Sequence, residues 1–308
     1  MKIIIMAPDA TNFFTKEQKQ KLAQAGAVVY VDGPKPFEEV KELFSKDKKI
    51  IAVDSDFCDW KISNDVLDKT QNLSAVCLQT TSFSWIDTMY AKKKGIVVTN
   101  LRGFSSESVA EWAVMMAINL ARKIPLVLKD GWVGNSTKHK GIELRGKTAG
   151  VIGLGTNGTK IAELCHGLGM NVIYWSKKSK DKRFKYMSLK EVFSNSDVIF
   201  PAFAQNKDTE KLLTQSLLKS MKKTTIFVTT VHKYNHEMLL EMVKEGKLYG
   251  YGFELNPSEF KEFNSYEGNV WAGPDIAWAT EGSMRSNAAQ WVESIVNAAK
   301  GKYPTRIN

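Results

Sequence analysis

Six residues stand at a spacing that can hold a phosphate: Gly153-Leu154-Gly155-Thr156-Asn157-Gly158, a G-x-G-x-x-G. The first glycine of such a loop makes a tight turn. The second lets backbone N–H groups approach a pyrophosphate, and the third lets the next helix pack on the preceding strand. A helix opening there adds positive partial charge. The glycines alone are weak, but here an apolar run, Thr148–Ile152, precedes them and a helical stretch, 159–167, follows. That context marks a dinucleotide site, with Gly153, Gly155, Thr156, Asn157 and Gly158 as candidate cofactor-binding residues. The next apolar run ends Trp175-Ser176-Lys177-Lys178. A site selective for NAD(H) has Asp or Glu at this point, accepting hydrogen bonds from the ribose hydroxyls. Ser176, 18 residues past Gly158, occupies it here, and two lysines follow. A carboxylate would repel a 2′-phosphate; a hydroxyl and two ammonium groups attract it. Ser176, Lys177 and Lys178 are therefore expected to favour NADP(H), with NAD(H) still open and a solvated basic turn as the plain alternative.

The elements that position these residues follow from the patterning. Short apolar runs alternate with helical stretches, which predicts an α/β fold with parallel sheets. Residues 2–7, 27–31, 50–53, 75–79 and 96–99 read as strands of a five-stranded open sheet, with helices over 16–25 and 37–44. A long apolar helix over 109–122 follows. A second series has strands at 148–152, 171–175, 197–200, 226–230 and 249–253, with helices near 160–167, 188–194, 214–221 and 237–245. A last helix is expected over 287–299.

Bulk properties narrow the class. The 308 residues suit two domains, and 43% hydrophobic with 25% charged residues is a globular and not a disordered composition. No apolar run reaches the roughly 18 residues of a membrane span. Cys58, Cys77 and Cys165 are scattered without metal-ligand spacing, which suits reduced thiols in the cytoplasm. The net charge of +10 is spread over small lysine groups, without a basic helix that reads bases. It fits attraction of anionic metabolites better than nucleic-acid binding.

The chain resembles the D-isomer-specific 2-hydroxyacid dehydrogenases, which include glyoxylate/hydroxypyruvate reductases. The resemblance rests on Gly95-Ile96-Val97-Val98-Thr99-Asn100 followed by Glu107-Ser108-Val109-Ala110-Glu111, on Leu144-Arg145-Gly146-Lys147-Thr148, on Ser196-Asp197-Val198-Ile199 and on Gly246-Lys247-Leu248. It implies a flavodoxin-like substrate domain, residues 1–99 plus 287–308, and a Rossmann-type cofactor domain, residues 100–286, with the active cleft between them. It also implies a homodimer formed through the arm at 123–143, which contains Trp132.

The family's chemistry uses an arginine, a glutamate and a histidine, and these carry over unevenly. The family has an Asp at a strand end and the catalytic Glu five residues on; Glu254 and Glu259 match, the first as a cofactor contact. Where the family reads Asn-Thr-x-Arg-Gly, this chain has Thr229-Thr230-Val231-His232-Lys233, so His232 replaces the arginine and Lys233 adjoins it. Where it reads Thr-Pro-His-Ile-Ala, this chain has Gly273-Pro274-Asp275-Ile276-Ala277, so Asp275 replaces the acid/base. The substrate loop, Gly-Val-Gly in the family, is Thr80-Thr81-Ser82.

Two readings follow. In one, the protein is an oxidoreductase acting on a small-molecule carbonyl or imine. Asp275 and Glu259 would share a proton, because two close carboxylates do not both ionise readily. His232 is a second candidate donor. Thr80, Thr81, Ser82 and Lys233 would bind the substrate. Loss of the arginine disfavours a simple 2-oxo acid and suits a neutral carbonyl, an imine or a cationic substrate. In the other reading, the chain is a catalytically retired NADP(H)-binding sensor or scaffold.

Overall fold

The computed structural model describes residues 1–204, 209, 211–230, 235–255 and 265–308. In chain order it opens with β1 (Lys2–Ala7), α1 (Ala10–Phe13), α2 (Lys16–Ala25) and β2 (Ala27–Asp32). Then come β3 (Lys49–Val53), α3 (Asn64–Lys69), β4 (Leu73–Leu78), α4 (Thr88–Lys93) and β5 (Val97–Thr99). Helices α5 (Ser106–Ala121) and α6 (Ile124–Lys129) lead to β6 (Thr148–Ile152), α7 (Thr156–Gly167), β7 (Asn171–Trp175) and β8 (Lys185–Tyr186). The chain continues through α8 (Leu189–Asn195), β9 (Val198–Pro201), α9 (Gln215–Lys219), β10 (Ile226–Val228), α10 (His236–Lys244), β11 (Gly250–Leu255) and β12 (Val270–Pro274), and returns in α11 (Glu281–Ala299).

Contacts divide the chain into Met1–Phe104 with Glu281–Asn308, and Ser105–Thr280. The resemblance puts the boundaries a few residues away, at 99/100 and 286/287. Leu101 is buried in the first unit and the Arg102 N–H donates to Gln290 of α11, so the segment after β5 stays with that unit.

In the first unit the strand order is β2-β1-β3-β4-β5, all parallel, which is the flavodoxin-like arrangement. β1 and β3 lie inside the sheet and are covered on both faces, which is why they read as unbroken apolar runs. One face carries Phe37, Val40, Leu43, Phe57 and Trp85; the other packs on α11, whose Trp291 is fully buried against Phe13 and Phe14.

The second unit holds the described strands in the order β12-β11-β10-β9-β6-β7-β8, again parallel. α5 packs on α7, β10 and β11, and its small and apolar residues, from Ala110 to Ala121, fill that side of the core.

Two expected helices change. Residues 37–44 form two 3₁₀ turns, Phe37–Glu39 and Lys41–Phe44. Phe37, Val40 and Leu43, all buried, are three residues apart, and a three-residue turn aligns them on one face as an α-helix does not. The last helix starts at Glu281, not at 287. Its first turn contains Gly282 and Ser283, poor helix formers that hide the start from a pattern reading. No helix among the described residues is long and apolar enough to cross a membrane.

Candidate functional site

The phosphate loop lies at the carboxyl end of β6, in the middle of the second sheet. Its three glycines are glycine for different reasons. Gly153 has φ +96° and lies against the backbone of Phe203. Gly158 is buried, and a Cβ on it would overlap the Gly153 carbonyl oxygen. Gly155 differs: its φ of −80° suits any residue, and no heavy atom lies within 4 Å of where its Cβ would be. Neither backbone strain nor protein packing demands a glycine there, so the open space is suited to a ligand. Gly155 also caps α7, whose N-terminus has no side-chain cap and no acidic residue in its first turn. Its leading N–H groups have no partner within the helix. A pyrophosphate fits this cradle. The Ser106 hydroxyl, on α5, donates to Asn157 Oδ1 at 2.7 Å and ties the loop to that helix.

The register of β6 on β7 pairs Ile152 with Trp175, and the Gly153 N–H donates to the Trp175 carbonyl at 2.7 Å. Ser176 therefore lies beside Gly153. Its hydroxyl accepts from the Ser179 N–H at 3.2 Å, which curls the turn carrying the exposed Lys177 and Lys178. The structure thus brings Ser176 and the two lysines to the strand end next to the phosphate loop.

Glu254, 2% exposed on β11, gives Oε1 to the N–H groups of Ile276 and Ala277 at 3.1 and 2.9 Å. This carboxylate clamps the turn after β12. Ser108 of α5 donates to the Ala277 carbonyl and holds the same turn. Asp275, half-buried, stands at its head with its N–H on the Leu255 carbonyl at 3.1 Å. His232, Lys233 and Glu259 lie outside the described residues. Among the described residues no group of three His, Cys, Asp or Glu side chains is arranged to hold a metal ion.

In the first unit, Thr80, Thr81 and Ser82 follow β4. Their carbonyls are all taken. Thr80 O accepts from the Leu101 N–H at 3.1 Å and Thr81 O from Asn100 Nδ2 at 2.8 Å. Ser82 O accepts from the Thr80 hydroxyl at 2.7 Å and from Trp85 Nε1 at 2.9 Å. The preceding carbonyl, of Gln79, accepts from Asn287 Nδ2 at 3.0 Å. No acceptor among the described residues meets the N–H groups of Thr80, Thr81 and Ser82. On the neighbouring strand Asp54 follows β3, only 8% exposed. Burial pushes its carboxyl up to about 6; the Asp56 N–H on Oδ1 opposes this, and the Asp56 charge adds to it. Asn287, Ser106 and Asp54 carry no sequence signal, because each gains its meaning from a partner distant in the chain or from burial; Asn100 closes the Gly95–Asn100 motif, which does not disclose its bond to Thr81 O.

The profile of the D-isomer specific 2-hydroxyacid dehydrogenase NAD binding domain matches residues 114–272, which is more than half of the chain. The chain belongs to the D-isomer-specific 2-hydroxyacid dehydrogenase family. It is 29% identical over 298 residues to a glyoxylate reductase of Aeropyrum pernix, covering 89% of this chain and 86% of that protein. It is 32% identical over 248 residues to a hydroxypyruvate reductase of Thermotoga maritima, covering 76% and 80%. Among solved structures, an acyclic imino acid reductase in complex with NADPH and D-arginine superposes with a TM-score of 0.83 over 100% of both chains, at 25% identity. As a D-2-hydroxyacid dehydrogenase-type protein this chain is an NAD(P)-dependent oxidoreductase, and the Rossmann-type second unit binds its nicotinamide cofactor.

Proposed function

We propose that this member of the family is an NADP(H)-dependent reductase of an imine or carbonyl substrate, with Asp275 as its proton donor. The observation that carries the cofactor choice is the adjacency of the open cradle at Gly155 to a strand end bearing Ser176, Lys177 and Lys178 in place of a carboxylate. The solved imino acid reductase, bound to NADPH, supports both the cofactor and an imine. An imine also suits a chain whose expected arginine position is His232, since a protonated imine needs no guanidinium to polarise it.

Bound nicotinamide supplies or accepts the hydride. The chain supplies position and a proton. The α7 N-terminus and Gly155 hold the pyrophosphate, and Ser176 with the two lysines holds the 2′-phosphate. The N–H groups of Thr80, Thr81 and Ser82 receive the substrate's carboxylate, with Lys233 as a further contact. Asp275 delivers the proton to the substrate nitrogen or oxygen, with Glu259 and His232 as the groups able to share it. Glu254 keeps the Asp275 turn in place from behind. The chain works as a homodimer through the arm after α5, where Leu128, Trp132 and Val133 are exposed. A network holds that arm: the Asn135 N–H donates to His139 Nδ1, so Nε2 carries the proton towards Asp130 Oδ2, 2.8 Å away.

The test is a titration with NADPH and NADH, followed by turnover of glyoxylate or pyruvate with and without methylamine. NADPH binds more tightly, and turnover needs the amine. Changing Lys177 and Lys178 to Ala weakens NADPH about tenfold or more and spares NADH. Asp275→Asn lowers turnover by about 10²-fold or more with NADPH affinity kept. Equal loss of both cofactors rules out the selector, and unchanged turnover rules out the donor. Binding by the wild type without any turnover would instead favour a sensor or scaffold.

A further inference from the structure

We propose that Asn287, together with Asn100, is a positioning residue that sets the anion-binding face of the substrate loop. The proposal rests on the reading that Thr80–Ser82 receives the substrate's carboxylate, and it adds what gives that loop its polarity.

A trans peptide unit points its C=O and its N–H in opposite directions. Fixing the carbonyl of one residue therefore aims the N–H of the next. Asn287 Nδ2 holds Gln79 O, which turns the Thr80 N–H away from the interior. The Leu101 N–H holds Thr80 O and does the same for Thr81. Asn100 Nδ2 holds Thr81 O and does the same for Ser82. The three donors are on residues 4%, 1% and 5% exposed, so all three carbonyls point inward. Thr81 and Ser82 are exposed, so an N–H set opposite a carbonyl held by a buried residue is directed toward solvent. Successive N–H groups aimed one way form a concavity for an anion. The family's glycines are absent at this loop, so the polarity here is imposed from behind by side chains.

Each carboxamide is used one-sidedly. Asn100 Oδ1 and Asn287 Oδ1 are buried and meet no hydrogen-bond donor among the described residues. What each amide contributes is its N–H directed at the loop. The two residues also sit where the chain passes between units: Asn100 lies shortly before the Phe104–Ser105 boundary, and Asn287 shortly after the Thr280–Glu281 boundary.

The probe is oxamate, a small carboxylate with an amide in place of the reacting carbonyl. Its Kd is measured on the NADPH-loaded full chain by nicotinamide fluorescence, alongside the Kd of NADPH and the Tm. We expect Asn287→Leu to weaken oxamate tenfold or more and to leave the NADPH Kd within twofold. Asn287→Asp, which keeps the shape and loses the donor, is expected to do the same and serves if the leucine variant does not fold. Asn287→Gln is expected to recover part of the affinity. Unchanged oxamate affinity in both the leucine and aspartate variants overturns the proposal while the substrate-loop reading stands. A parallel loss of NADPH and oxamate affinity also overturns it, because the role is then merely structural. If the wild type binds NADPH but not oxamate, the substrate-loop reading falls, and this proposal with it.

Discussion

At the scale of single residues, carboxylates at this molecule's strand ends serve different purposes. Glu254 accepts from two backbone amides, Asp275 is the proposed proton donor, and Asp54 is held at an energetic disadvantage. With its carboxyl raised to about 6 from an ordinary value near 4, Asp54 keeps its proton in the folded protein over a window where the unfolded chain has lost it. The native state then binds more protons, so stability falls as pH rises through that window, and the full penalty, about 3 kcal/mol, is present above it. Asp54→Asn keeps the acceptor for the Asp56 N–H and removes the charge. In urea unfolding the variant should gain on the wild type by about 1–2 kcal/mol between pH 5 and pH 7.5. A gap that does not change with pH would show that the burial of Asp54 has no such effect. Nothing at Asp54 is legible in the sequence, because an aspartate after an apolar strand reads as a turn residue. Asn287 is equally silent, since its partner carbonyl lies 208 residues away in the chain. Ser176 could be read because its meaning depends only on its distance from a local motif.

Elements were legible where one periodicity ruled and obscure where it broke. The buried strands β1, β3 and β6 and the helix α5 announce themselves as apolar runs. β12 gives no strand pattern because it contains Gly273 and Pro274, which an edge strand tolerates and a central strand does not. β8 is two exposed residues at the opposite edge. The phosphate loop was legible as a pattern, yet the pattern treats its glycines alike and the structure separates them. Gly155→Ala should change unfolding free energy by no more than about 0.5–1 kcal/mol, an ordinary cap substitution, and weaken NADPH about tenfold or more. Gly158→Ala should cost about 1–3 kcal/mol by forcing the helix off the loop. Urea unfolding with NADPH titration of both variants decides this. Equal destabilisation would mean that Gly155 is needed by the protein itself and not by a ligand.

At the scale of the whole molecule, the arm of the proposed dimer carries the two most exposed large hydrophobic residues among those described, Val133 at 68% and Trp132 at 63%. Sedimentation should give twice the chain mass. Trp132→Ser, removing a large aromatic from the proposed interface, should weaken self-association by about 30-fold or more. A wild type that sediments as a single chain at micromolar concentration would end the dimer reading. The discontinuity of the first unit has a further consequence, one of biosynthesis. Its sheet is complete once β5 has left the ribosome, but one face of that sheet is shared between the early helices α1 and α2 and the late helix α11 with its Trp291. The 176 residues of Ser105–Thr280 must be translated first, which at about 5–20 residues per second takes on the order of 10–35 s. During that interval Ile3, Ile5, Ile50 and Ala75 have Ala10, Phe13, Phe14 and Leu22 on that side but lack Trp291, Val292 and Ile295, while the second unit is encoded without interruption. Completion of the N-terminal sheet's core therefore waits for the last helix of the chain, whereas the second unit depends on no segment made after it.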